Sequence, residues 1–237
     1  VEFLYPLGNL ALHLFTESER TMTKSDSPSR LQSKEHTRQG LIRAALKLLS
    51  HSSFDSLSLR QVTRQAGITP TAFYRHFDDM EELGLVLVEE SFLSLGAMLK
   101  DARAQSPFDG DTIERSLAVV LLHLHNHTAH FRFIARERYG GVRRLRRAIN
   151  RELQLFADEL AIDLVAMTGV DVWSTEDRRM LANMITETII RMVGELLEYG
   201  PDEEIDIVRR TKRQLRLITL GVPEWNGVLS GSDSSSD

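Results

Sequence analysis

The run "HLHNHTAH" places His123, His125, His127 and His130 within eight residues, and His123 and His127 stand four apart. At that separation two imidazoles on one helix face can share a metal ion. No carboxylate lies inside the run and the chain has no cysteine, so nothing nearby completes a thiolate or zincin-type set. A polar histidine cluster is the favoured reading, with a metal site as the alternative. A second concentration follows, where Arg136, Arg138, Arg143, Arg144, Arg146, Arg147 and Arg151 meet one acid, Glu137. It reads either as a solvated face with ion pairs or as an anchor for an anionic group. A third stretch, "GITPTAFYRHF" at residues 67–77, joins a glycine and a Thr-Pro pair to a Tyr-Arg-His run without an acid. Those side chains suit bases and phosphates. A Ser-His-Asp elbow, a P-loop, a dinucleotide fingerprint and paired loop carboxylates are all missing, so neither an enzyme nor a cofactor is expected.

The elements that must position these residues are helical nearly throughout. "RQGLIRAALKLLSH" sets Leu41, Ile42, Ala45, Leu46, Leu48 and Leu49 on one face and Arg43 and Lys47 on the other. Ser58 then heads a capping box with Gln61, Leu57 and Val62 occupy staple positions, and Gly67 closes the helix. Thr69 caps the next helix, Pro70 takes its first position, and Ile68 with Phe73 makes a second staple. A helix, a turn around Gly67 and a short second helix are the parts of a helix-turn-helix.

Phe73 and Phe77, four apart, must share the buried face of that second helix. The opposite face offers Thr71, Ala72, Tyr74, Arg75 and His76 beside the helix start at Thr69 and Pro70. Short side chains there let the helix enter a major groove, with Thr71 and Ala72 at base edges and Arg75 on a guanine or phosphate. Lys34, Ser58, Tyr74 and His76 are expected nearer the DNA backbone, and Thr37 and Gln61 are expected at DNA as well. Charge agrees with this reading. From Thr23 to Phe77 nine Lys and Arg face three acids, a net +6, so the rest of the chain carries −11 of the total −5. A basic module on an acidic body suits a polyanion partner for the module alone.

At these residues the chain resembles the TetR family of one-component transcriptional regulators, through "LRQVTRQAG", "FYRHF" and "DDMEEL" over about residues 36–90. Thr63 stands where alanine is usual, and Pro70 and Thr71 replace the common lysine and glycine. Within the family, "SLSLRQVTRQAGITPTAFYRHFDDMEELGL" and "FRFIARERYGG" look most like the FabR and DesT branch, repressors of unsaturated fatty-acid synthesis. The resemblance implies a homodimer on palindromic operator DNA and a helical C-terminal domain that senses long-chain acyl-CoA. On it, Arg136, Arg138, Arg143 and Arg144 would hold the coenzyme A phosphates. Met98, Phe131, Phe133, Met167, Trp173 and Met184, soft apolar residues on several helices, read first as core, with the lining of an apolar ligand cavity as the alternative. Another hydrophobic effector, a drug or signal, or less readily a metal, is the alternative.

The body reads as an α-helical bundle of about six helices. Expected breaks fall at Asn126–Thr128, Gly169 and Gly200, with Ser174 and Pro201 opening the last two helices. Stripes at helical spacing, Met184, Ile185, Thr188, Ile189, Met192 and Leu196, then Val208 and Leu215, suggest a dimer seam. Two recognition helices would then reach major grooves about 34 Å apart. The chain is accordingly expected as all-α, with a flexible extension over 1–32, a three-helix DNA-binding domain over 33–80, a ligand-binding and dimerisation domain over 81–222, and a flexible tail over 223–237. Val1 and the polar stretch after Met22 place residues 1–21 upstream of a more natural start. "VEFLYPLGNLALHLF" is too short to span a bilayer, is broken by Pro6 and Gly8 and lacks a basic start, so neither a signal peptide nor a membrane partner is expected. Absence of cysteine fits a reducing cytoplasm.

Overall fold

The computed structural model describes residues 30–104, 112–168 and 173–225, without the side chains of 30–31, 97–104 and 166–168. The expected tail beyond residue 225, most of the N-terminal extension, the stop at Gly169 and the side chains of Met98 and Met167 lie outside the described residues. The chain divides into two units between His36 and Thr37. Of the first, the opening turns of a helix are described, and Lys34 there is exposed.

The described residues are helical, with no strand among them: α1 (Arg30–Leu49), α2 (Leu59–Ala66), α3 (Pro70–Phe73), α4 (Met80–Ala104), α5 (Thr112–Asn126), α6 (Thr128–Glu137), α7 (Arg143–Thr168), α8 (Thr175–Tyr199) and α9 (Glu204–Leu220). A 3-10 turn, Phe54–Ser56, bridges α1 and α2. The expected all-α architecture is therefore the observed one, with six helices after the helix-turn-helix.

Local chemistry explains most boundaries. At the start of α4, Asp79 Oδ1 accepts from the Glu82 N–H at 2.8 Å, and the Glu82 carboxylate accepts from the Asp78 N–H, a reciprocal cap that leaves few orphan donors. Ser174 Oγ accepts from the Asp177 N–H at 3.0 Å at the head of α8. Gly200, with φ of 86°, ends it in a conformation that side chains disfavour. Pro201 opens a 3-10 turn, Pro201–Glu203, so α9 begins three residues later than the proline suggests. The break between α5 and α6 falls at His127.

One apolar core runs from Leu41, Ile42 and Leu49 of α1 through Val62, Phe73 and Phe77 to Leu87, Leu117, Phe133, Ile149 and Met192 of the body. A smaller cluster around Ala161, Leu164, Leu181 and Ala182 has Trp173 packed on it. No described helix is long and apolar enough to cross a membrane.

Candidate nucleic-acid interface

The α2–turn–α3 unit is fixed by its own residues. Ser58 Oγ accepts from the Gln61 N–H at 3.3 Å while Gln61 Oε1 accepts from the Ser58 N–H at 2.8 Å. This cap occupies the two side chains expected at DNA, although both remain exposed. Gly67, with φ of 70°, lets the chain reverse. Its N–H donates to Arg64 O at 3.2 Å, and the Ile68 N–H donates to Thr63 O at 3.0 Å. Together these form a Schellman closure, which satisfies two orphan carbonyls of α2. Thr63 is buried, and its hydroxyl donates to Leu59 O at 2.9 Å, so the position tolerates a threonine without an unpaired polar group.

Thr69 Oγ1 accepts from the Ala72 N–H at 3.3 Å, and Pro70 takes the first helical position. Backbone bonds His76 N to Phe73 O, 2.9 Å, and Phe77 N to Phe73 O, 3.1 Å, continue the coil beyond α3. Phe73 and Phe77 are fully buried with ring centroids 5.5 Å apart. That burial turns Thr69, Pro70, Thr71, Tyr74 and Arg75 outward, all exposed, with Ala72 and His76 half-buried. Tyr74 is 62% exposed and packs edge-on against Phe73. Arg43, Lys47, Arg60 and Arg64 are exposed too, and Thr37 is half-buried. The result is a surface without acids from Gly67 to Phe77 that can donate hydrogen bonds to base edges and phosphates.

Sequence reading missed Arg38. Its guanidinium lies 4.7 Å over the Phe77 ring, and Nη1 donates a long bond, 3.4 Å, to His76 O. It thus steadies the far end of the recognition segment through a cation–π contact. Nothing local marks such a role, because the partners lie 38 residues away.

Of the residues expected at an effector, those described lie in several places. Phe131 and Phe133 are buried in the core, Trp173 sits in the smaller cluster with its ring centroid 6.3 Å from that of Trp225, and Met184 is 48% exposed. Arg136 donates to Leu49 O and Ser52 O, Arg144 Nη1 lies 3.2 Å from the exposed Glu81 carboxylate, and Arg143 is exposed. Arg138, only 7% exposed, pairs with Glu187 at 2.9 Å. It alone of the expected set, apart from Thr188 of the seam, lines a cavity of about 490 Å³ between α6 and α8. That cavity is walled by Ala135 and Ile190 but also by Glu187, Arg191 and Glu195.

The histidines separate as well. His123 and His127 stack with centroids 6.0 Å apart, His125 Nε2 lies 3.1 Å from Glu204, and His130 Nδ1 lies 2.9 Å from Ser91 Oγ. Ser91 spends its proton on Leu87 O at 2.6 Å, so His130 must donate from Nδ1. Burial first, then the neighbouring His127, lowers the His130 pKa from its usual value. No group of three or more potential ligands is arranged for a metal among the described residues.

The seam stripes divide by burial within the chain. Met192, Leu196, Thr188 and Leu215 are buried inside the chain, Ile185, Ile189 and Val208 are half-buried, and only Met184 of the eight is exposed. Helical periodicity reports a buried face without saying whose atoms bury it. Here α8 packs on α7 and α9 within one chain.

Residues 41–85 match the family model for bacterial regulatory proteins of the tetR family. The whole fold is similar to the fatty acid degradation regulator FadR of Bacillus halodurans, with a TM-score of 0.61 and 18% identity over 84% of this chain and 98% of that one. It is similar also to the transcriptional regulator FadR of Bacillus subtilis in complex with stearoyl-CoA, with a TM-score of 0.60 and 18% identity over 77% of this chain and 98% of that one. A TetR-family transcriptional regulator of Streptomyces coelicolor gives a TM-score of 0.64 at 16% identity over 79% of this chain and 96% of that one. The chain carries the helix-turn-helix segment of the tetR family of bacterial regulatory proteins, on a body of the same helical fold.

Proposed function

We propose that this TetR-type transcriptional regulator binds palindromic operator DNA as a homodimer and answers to long-chain acyl-CoA in controlling genes of fatty-acid metabolism, those of unsaturated fatty-acid synthesis first among them. The observation that carries the DNA reading is the outward face of α3, exposed and free of acids between Thr69 and Phe77 while Phe73 and Phe77 fix it from behind. One such helix reads few bases, so a two-fold pair on successive grooves supplies the specificity that a single protomer lacks.

The effector reading draws support from the fold shared with the stearoyl-CoA complex of the Bacillus subtilis protein and from the sequence resemblance given above. Arg138, buried at the wall of the α6–α8 cavity, is the first candidate for the anionic end of such a ligand, which must displace the exposed Glu187 carboxylate from it. Binding between helices of the body would change the separation of two α3 helices and so weaken or strengthen DNA binding at a distance.

Fluorescence anisotropy on duplex from the region upstream of its own gene tests both parts. Affinity should fall steeply with salt, and stearoyl-CoA and oleoyl-CoA should shift it unequally at fixed salt. Tight binding indifferent to both would leave the regulator and discard the acyl-CoA reading in favour of another hydrophobic effector.

A further inference from the structure

The last turn of α6 carries two adjacent side chains that leave the body and end on backbone atoms of α1 and of its connection to α2. Arg136 Nη1 donates to Leu49 O at 3.2 Å and to Ser52 O at 2.7 Å. Glu137 Oε1 accepts from the Phe54 N–H at 2.8 Å. All three partners lie in one short stretch, from the last residue of α1 to the start of the 3-10 turn. Leu49 O and Phe54 N are groups that regular helix bonding leaves open at a terminus. The connection between α1 and α2 is thus completed by a helix more than eighty residues away in sequence.

The surroundings are built to the same end. Glu137 is 1% exposed, and burial raises its pKa, with the bond from Phe54 opposing and the neighbouring Asp55 adding to the rise. Its second oxygen is buried without a partner among the described residues. A carboxyl so placed is kept for a specific contact, since burial alone disfavours it. Gly140 leaves the carboxyl its space, because a Cβ there would collide with Oε2. Gly141 does the same for Asp55, whose Oδ2 would stand 3.0 Å from an added Cβ. On the other side, the buried Phe54 ring lies against Gly84 of α4, where a Cβ would come within 2.7 Å of Cζ, and Leu145 of α7 crowds the same point. Phe54 is therefore seated between two body helices while its own N–H is held from a third.

We propose that Arg136 and Glu137 are positioning residues for DNA recognition, which hold the α1–α2 connection from the end of α6 and so set the orientation of α3 relative to the body. The bonds end on backbone, so the connection cannot swing without breaking them, and a displacement of α6 is passed to α2 and α3. Side-chain contacts alone would let the connection slide by a change of rotamer. The inference rests on the proposed DNA reading for its consequence and on geometry for the hold itself.

The absence of cysteine allows spin labels on Gln65→Cys in α2 and Leu155→Cys in α7, both exposed, in full-length protein diluted into unlabelled chains. Pulsed electron resonance should give one narrow distance distribution. Glu137→Ala should broaden it and lower affinity for the upstream duplex tenfold or more, and Glu137→Gln, whose amide oxygen still accepts from Phe54, should restore both. Should Glu137→Ala fail to fold, Arg136→Met, at an exposed position, must show the broadening and the loss. Parental distributions in the folded variants overturn the proposal, as does a broadened one with parental affinity. A parent protein that binds no duplex refutes the regulator reading instead, and the distance distribution then still decides whether the pair holds the connection.

Discussion

Two regions of this chain are dense in arginine, and they reach opposite electrostatic ends. In the helix-turn-helix, Arg60, Arg64 and Arg75 stand exposed around a recognition face without acids. Around the α6–α7 junction, Arg138 is buried on Glu187, Arg144 meets Glu81, Arg146 donates to Gly140 O at 2.6 Å, and Arg136 caps α1. A count of charges cannot separate the two, since residues 23–77, which include the helix-turn-helix, and residues 136–151 carry the same net +6. A cation is available to a polyanion only where the fold has not already given it a partner, and partners come from distant parts of the chain.

The sharpest break of that contrast removes the support behind the recognition face. Phe73→Ala should lower unfolding free energy by about 3–5 kcal/mol, read as the denaturant midpoint, because a fully buried ring is deleted. Arg75→Ala should leave that midpoint alone and weaken DNA binding by about 1–3 kcal/mol, roughly five- to 150-fold. An unchanged affinity would place the contact elsewhere on the face. Ser58→Ala removes the cap of α2 and should cost about 1 kcal/mol of stability, visible as a lower melting temperature.

A smaller effect belongs to pH. The folded pKa of His130 lies below its usual 6.5, so the unfolded chain takes up the proton first. Stability should be untouched above that value and decline as pH falls through it, and His130→Asn should flatten this acid limb in urea titrations. Least of all should follow from Arg144→Ala, whose partner Glu81 is itself exposed. Stability should move by no more than about 0.5 kcal/mol and DNA affinity should not move. A tenfold loss of DNA binding in this variant would erase the distinction between the two arginine regions.

What was legible in the sequence follows the same line. Ser58 with Gln61, Gly67, Thr69 with Pro70, and Ser174 with Asp177 act on neighbours within a few residues, and each cap or turn could be read from spacing. Phe73 and Phe77 could be assigned to the core because a spacing of four puts them on one face of a helical coil. Met192, Leu196 and Leu215 could not be divided between core and dimer seam, since periodicity is identical for both. The arginines of α6 and α7 read as a patch because Leu49 O, Ser52 O, Glu81 and Glu187 lie outside any local window. Arg38 and Glu137 were illegible for the same reason.

The pairing of Trp173 with Trp225 has a spectroscopic consequence. These are the only tryptophans of the chain, so its intrinsic emission arises from one neighbourhood, next to the small cluster of α7 and α8. The helix-turn-helix is silent at that wavelength. Unfolding followed by tryptophan emission reports that end of the body, whereas circular dichroism weighs every helix. The two curves will coincide only if the recognition module and the tryptophan end melt as one cooperative unit.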